Sequence, residues 1–175
     1  RLQGAPRQPK GVPRAPKIAQ RAKGVPRGPR MRHLDPWVQQ WDMNEINAGV
    51  PGKSAQDAWY GTALAIEKAL NDGDKVAGAS IDVMKCFDQI NRQLLYVLAD
   101  NSGMPLGILA AYQAFQEELS SAYQIGSFLG PTHKDICSIP QGCPLSMLMV
   151  ALLMTPWVSR ITRLGLIPRC LADGL

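Results

Sequence analysis

From Ser54 onward the hydrophobic and polar positions follow two periods, and the points where one gives way to the other divide the chain into elements. Ser54-Ala55-Gln56-Asp57 has the form of a capping box, a serine at the N-cap with an acid three residues on, and Ala58 to Leu70 then supplies good helix formers. Asn71-Asp72-Gly73-Asp74 ends that helix in a turn. Val76 to Val83 reads as a strand, and Ile90, Leu94, Leu95, Val97 and Leu98 follow at helical spacing. Gly103 and Pro105 break this helix before another over Leu106 to Leu119. Tyr123 to Leu129 and Lys134 to Ile139 pair as two strands around Gly130-Pro131. Pro144 to Ile161 forms a long buried helix, and Leu166 to Ala172 is a short strand that ends in Asp173-Gly174. This order suits an α+β fold with a small antiparallel sheet backed by helices.

The first 36 residues read differently. Residues 1 to 33 hold ten of the nineteen Lys and Arg and no acid, so the formal charge of +5 conceals an acidic remainder, nine basic against fourteen acidic side chains. Lys10-Gly11-Val12-Pro13-Arg14 recurs as Lys23-Gly24-Val25-Pro26-Arg27. With few large apolar residues and repeated prolines, such a segment cannot offset its ordering entropy, and a disordered tail of polyproline character is expected, with the folded domain over 37–175. One reading of the tail is a flexible arm whose Arg14, Arg27 and Arg30 meet nucleic-acid phosphates in a salt-sensitive, sequence-independent way; the other is a solvated linker or a translated non-domain sequence.

Several classes are disfavoured. Cys86, Cys137, Cys143 and Cys170 form no Cys-x-x-Cys pair, and His33 and His133 are the only histidines, which argues against a zinc site or a disulfide framework. No charged-then-apolar leader opens the chain. The apolar run Leu145 to Val158 is shorter than the roughly 20 residues of a membrane span. Gly52-Lys53-Ser54 imitates the end of a phosphate-binding loop, but Asn47 stands where that pattern requires glycine and no strand precedes it.

Chemistry concentrates elsewhere. Asp82-Val83-Met84-Lys85-Cys86-Phe87-Asp88 places carboxylates, a lysine and a ring at the end of the apolar run from Val76 to Ile81. Pro140-Gln141-Gly142-Cys143-Pro144-Leu145-Ser146 and then Leu171-Ala172-Asp173-Gly174 follow in order. Taken singly, each has a plain structural reading. An Asp after a strand caps or turns, Asp173-Gly174 is a common hairpin-turn dipeptide, Phe87 suits a core, and Pro-Gln-Gly before Pro144 is a turn that opens a helix.

As an ordered set they resemble the palm of a reverse transcriptase, and Asn47 to Ala58 is similar to the fingers segment of the non-long-terminal-repeat and group II intron type. The resemblance covers about Asn47 to Leu175 and implies a partial polymerase palm with part of the fingers. It implies RNA-directed DNA synthesis by nucleotidyl transfer with two Mg²⁺ ions, Mn²⁺ being a possible substitute. The implied metal set is Asp82, the Val83 backbone and Asp173, with Asp82 and Asp173 catalytic. Phe87 would close off the sugar's 2′ side, Gln141 and Gly142 would lie against the nascent base pair, and Lys53 stands at a basic position that faces the nucleotide. Asp88 is expected to cap the helix from Gln89 to Leu98, and Lys85 to be a solvated charge.

The third motif departs from the family pattern: Leu171 replaces an aromatic and Gly174 a second aspartate, which removes a carboxylate from the metal set. A fragment of weak or no activity is therefore expected. Implied partners are an RNA template, a DNA primer and deoxynucleoside triphosphates, with no membrane association; the oligomeric state is not readable. The implied setting is intracellular, and nuclear for a eukaryotic retroelement. Alternatives are an RNA-dependent RNA polymerase palm, which Phe87 disfavours because such enzymes admit a 2′-hydroxyl, and a non-catalytic nucleic-acid-binding remnant.

Overall fold

The computed structural model describes residues 17–19 and 29–171, and over these the chain is α+β, with six helices and a small antiparallel sheet. α1 (Asp35–Trp41) follows a 3-10 turn at Pro29–Leu34 and turns Trp37, Val38 and Trp41 inward. The folded part begins slightly earlier than the pattern indicates, since Leu34 is already buried. Within the stretch expected to be disordered, Lys17–Ala19 forms the short strand β1. Arg14, Arg27, Asp173 and Gly174 lie outside the described residues. Arg30 falls in the 3-10 turn, but its side chain lies outside them as well.

α2 (Ala55–Asn71) starts where the capping box places it. The Ser54 amide donates to Asp57 Oδ2 at 2.9 Å, and the Asp57 amide donates to Ser54 Oγ at 3.3 Å, so two helix-end amides are satisfied reciprocally. At the other end the Asp74 and Gly73 amides reach back to the Ala69 and Leu70 carbonyls at 2.8 and 3.2 Å, a glycine-centred stop. The helix packs sparingly. Ala58 is its one buried residue, while Trp59, Tyr60, Leu64 and Leu70 face solvent.

The expected strand Val76 to Val83 is not formed. Residues 74–83 run without regular structure and are exposed throughout. Alternating β-branched residues make a strand only when a neighbour accepts their ladder hydrogen bonds, and no strand among the described residues pairs with this segment. Of the expected strand Leu166 to Ala172, the described residues 166–171 form only a single parallel bridge, between Cys170 and Ile46.

The next helix divides in two. α3 (Cys86–Gln89) is one turn, and α4 (Arg92–Asn101) begins after a break at Ile90 and Asn91. Asp88 therefore sits inside α3 rather than capping α4. That cap is Asn91, whose side-chain oxygen accepts from the Leu94 amide at 3.2 Å. α5 (Leu106–Glu118) matches its expected span, and Trp37 Nε1 ties α1 to the end of α4 by donating to Ser102 Oγ at 3.0 Å.

β2 (Ser121–Ile125) and β3 (Phe128–Leu129) form a hairpin about Gly126-Ser127, four residues before the expected turn, with β1 along the other edge of β2. Gly126 takes φ +61°, as tight two-residue hairpin turns require. Lys134 to Ile139 adds no strand; His133 alone bridges to Ser121.

α6 (Ser146–Arg163) passes through the core and packs on α4, which also packs on α5. Leu148 to Leu152 is buried on every side of the helix; burying each large apolar side chain stabilises by about 1.5–3 kcal/mol. Pro156 lacks the amide that would reach the Leu152 carbonyl, a loss of about 3 kcal/mol in a helix interior. Pro156 and Trp157 lie on an exposed side of α6, while Val158 just beyond them is still fully buried. No helix among the described residues is long and apolar enough to cross a membrane.

Candidate functional site

The segment that carries Asp82 and the segment that carries Gln141 meet through their main chains. The Ile139 amide donates to the Phe87 carbonyl at 2.9 Å, and the Ser138 amide donates to the Ile90 carbonyl at 3.0 Å. Two non-glycine residues with positive φ flank this pairing, Lys85 at +53° and Ser138 at +94°. L side chains adopt such backbone at a cost of about 1–3 kcal/mol, and it persists where surrounding contacts determine it. Lys85 is thus more than a solvated charge. Its carbonyl accepts the Asp88 and Gln89 amides at 2.9 and 3.2 Å, which bends the chain from the exposed segment into α3.

Asp82 and Val83 lie at the outer end of that segment, exposed to solvent. Phe87, only five residues on, is 4% exposed and belongs to the core. The bend at Lys85 separates these two environments.

On the other side, Pro140 to Ser146 makes a tight loop. The Cys143 amide and the Ser146 hydroxyl both donate to the Pro140 carbonyl, at 3.2 and 2.7 Å. Ser146, 1% exposed, thereby anchors the loop to the first turn of α6. Gln141 and Gly142 project outward from this anchor and are exposed. Gly142 takes φ +100°, and a Cβ there would meet nothing within 4 Å. Its requirement is conformational, and the space over it is open to a ligand.

Lys53 is held inside the loop that precedes α2. Its Nζ reaches Asp42 Oδ1 and the Met43 carbonyl, each at 2.6 Å. In the same loop Gly49 has φ +77° and lies so close to α6 that an added Cβ would stand 2.3 Å from the Met147 carbonyl oxygen. The Asn47 amide donates to the Cys170 carbonyl at 2.9 Å, and the Cys170 amide to the Glu45 carbonyl at 2.8 Å. Burial pushes the Cys170 thiol pKa up, and Cys86 beside it adds to the rise. The loop before α2, the segment around Cys170, α3 and the Gln141-Gly142 loop therefore border one another around the start of α6.

Sequence reasoning missed the polar groups that support this arrangement. Arg92, 9% exposed, donates from Nε to the Ser138 carbonyl at 2.6 Å and from Nη1 to the Gln116 carbonyl at 3.2 Å. Gln116 is fully buried, and the Tyr96 and Tyr112 rings meet edge to face beside it, with centroids 6.3 Å apart. Burial pushes the Tyr112 phenol far above its usual value, with Cys143 and Tyr96 adding to the rise and Gln116 and Ser146 opposing it. Its hydroxyl nonetheless makes no hydrogen bond of normal geometry, nor do the Tyr96 hydroxyl and the Gln116 amide atoms. The signal was one of register: Arg92 precedes Leu95, Tyr96 and Ala99 at helical spacing, and Gln116 follows Leu109 and Tyr112, so each lies on a buried face.

Among the described residues no three His, Cys, Asp or Glu side chains group closely enough to hold a metal ion. Asp82 belongs to this set, whereas its expected partner Asp173 lies outside it. No protein-family model matches this chain, and no curated protein matches it.

Proposed function

We propose that this chain is part of a retroelement reverse transcriptase, a palm with an adjoining piece of the fingers. The activity is template-directed extension of a DNA primer along RNA by attack of the primer 3′-hydroxyl on a deoxynucleoside triphosphate. The observation that carries the reading is the main-chain pairing of Phe87 and Ile90 with Ile139 and Ser138, which seats two of the three motif segments side by side. Cys170, which precedes the third segment in the sequence, lies beside Cys86.

Hard oxygen donors suit Mg²⁺, which keeps several waters and needs few protein carboxylates. Asp82, an exposed carboxylate next to a sharply bent backbone, has that chemistry, and Asp173 would be its partner. Bound Mg²⁺ would offset the charge that develops on the triphosphate. For the chain's own part, the Pro140–Ser146 loop offers the outward Gln141 amide, both donor and acceptor, beside the uncrowded backbone of Gly142. Phe87, expected to close off the sugar's 2′ side, is instead packed in the core and could act there only through the backbone it anchors.

A second reading, a nucleic-acid-binding remnant without catalysis, is favoured by one observation: Asp82 lies on an irregular, exposed segment rather than on a rigid strand. Primer extension on an RNA template with Mg²⁺ separates the two. Incorporation that disappears in Asp82→Ala supports the polymerase. Salt-sensitive binding of primer–template without incorporation by the unaltered chain supports the remnant.

A further inference from the structure

Arg92 is a buried cation whose hydrogen bonds go to main-chain carbonyls of two separate segments, Ser138 and Gln116. Gln116 lies in the last turn of α5, where carbonyls lack helical partners and the helix dipole favours a cation. Ser138 holds its unfavourable φ of +94° between two contacts, its amide on the Ile90 carbonyl and its carbonyl on Arg92. Two residues later the chain enters the Pro140–Ser146 loop, whose far foot is fixed by the Ser146 hydroxyl on the Pro140 carbonyl.

We propose that Arg92 is a positioning residue for the Gln141-Gly142 turn. Gripping Ser138 from the end of α5, it maintains the strained backbone that sets the direction in which the turn leaves the core, and Ser146 holds the opposite foot. The incoming deoxynucleoside triphosphate is then met by a turn that is already oriented, so less freedom is lost on binding. The identity of that ligand rests on the polymerase reading; the grip on the loop is a property of the fold and is tested separately.

Hydrogen–deuterium exchange over residues 136–146 of the whole chain tests it, with Arg92→Gln, Arg92→Lys, Ser138→Gly and the Arg92→Gln/Ser138→Gly pair. Leu109→Ala serves as a control that loosens the core without touching the grip. Arg92→Gln is expected to raise exchange in this segment about tenfold while α1 and the body of α4 keep their protection. Glycine takes φ +94° without strain, so Ser138→Gly should restore most of that protection in the double variant. Arg92→Lys should lie between wild type and Arg92→Gln. In primer extension Arg92→Gln should raise KM for the deoxynucleotide more than it lowers kcat.

Unchanged exchange in residues 136–146, or a rise spread evenly over the molecule as in Leu109→Ala, overturns the proposal and leaves Arg92 a strut of the core. Should Arg92→Gln fail to fold, Arg92→Lys decides by the same local-against-global criterion. Wild-type protein that binds primer–template in a salt-sensitive way without incorporating nucleotide favours the binding remnant over catalysis by this chain, and the exchange result still decides the grip.

Discussion

Phe87 and Ile139 are joined by a main-chain hydrogen bond of 2.9 Å although 52 residues separate them, and both are buried in the core. On one side of this bond the chain bends at Lys85 toward the exposed Asp82; on the other it enters the loop that displays Gln141 and Gly142. The bond couples the hydrophobic interior to the two places where chemistry is exposed.

Removing the carboxylate should be cheap for folding and decisive for chemistry. Asp82 is exposed, so Asp82→Ala should alter unfolding free energy by no more than about 0.5 kcal/mol. Any Mg²⁺-dependent primer extension by the chain should vanish in the same variant. Urea denaturation and a single-nucleotide incorporation assay, run on the same preparation, check both halves.

Ser146→Ala removes the hydroxyl from a buried contact and leaves the Pro140 carbonyl with the Cys143 amide alone. A destabilisation of about 1–2 kcal/mol is expected, read as a lower urea midpoint at unchanged slope.

Two glycines should respond differently to alanine. At Gly49 the new Cβ would collide with the Met147 carbonyl, and φ is +77° besides, so overpacking of about 1–3 kcal/mol adds to the conformational penalty. At Gly142 only the conformational penalty applies, about 1 kcal/mol, because nothing crowds the position. Equal losses in the two variants, measured by denaturant unfolding, would contradict the close approach of Gly49 to α6.

Alkaline pH should destabilise the fold through its buried phenols and thiol. Burial raises the pKa of Tyr112 and Tyr96 above 10.0 and that of Cys170 above 9.0. The folded state then retains protons that the unfolded chain releases, so the stabilisation is whole below about pH 9 and is lost as pH climbs toward the folded values. Tyr112→Phe should flatten that decline. Near neutrality it should cost little, because the hydroxyl it deletes has no hydrogen bond of normal geometry. Thermal unfolding from pH 7 to 11 measures both effects.

Helices with local signals were legible in the sequence. Ser54 with Asp57, Pro105 before Leu106, and Pro144 before the apolar run each mark a helix start by chemistry contained within a few residues. Strands were legible less well, because a strand is a relation to a partner. Val76, Ile81 and Val83 carry the right residue types, yet among the described residues nothing pairs with them. The hairpin contained two turn signals, Gly126 and Gly130-Pro131, and the pairing of Gln124 with Leu129 selected the first. Phe87, Gln141 and Ser146 were visible as motif members. Arg92 was not, because what makes it consequential is the distant carbonyl of Ser138, which no local pattern specifies.

The outward side of α2 bears on calorimetry. Trp59, Tyr60, Leu64 and Leu70 are already hydrated while the chain is folded, so unfolding wets less new hydrocarbon than the composition implies. The heat-capacity increment should therefore fall below the roughly 12–15 cal/mol/K per residue of ordinary domains, and the stability curve against temperature should be correspondingly shallow.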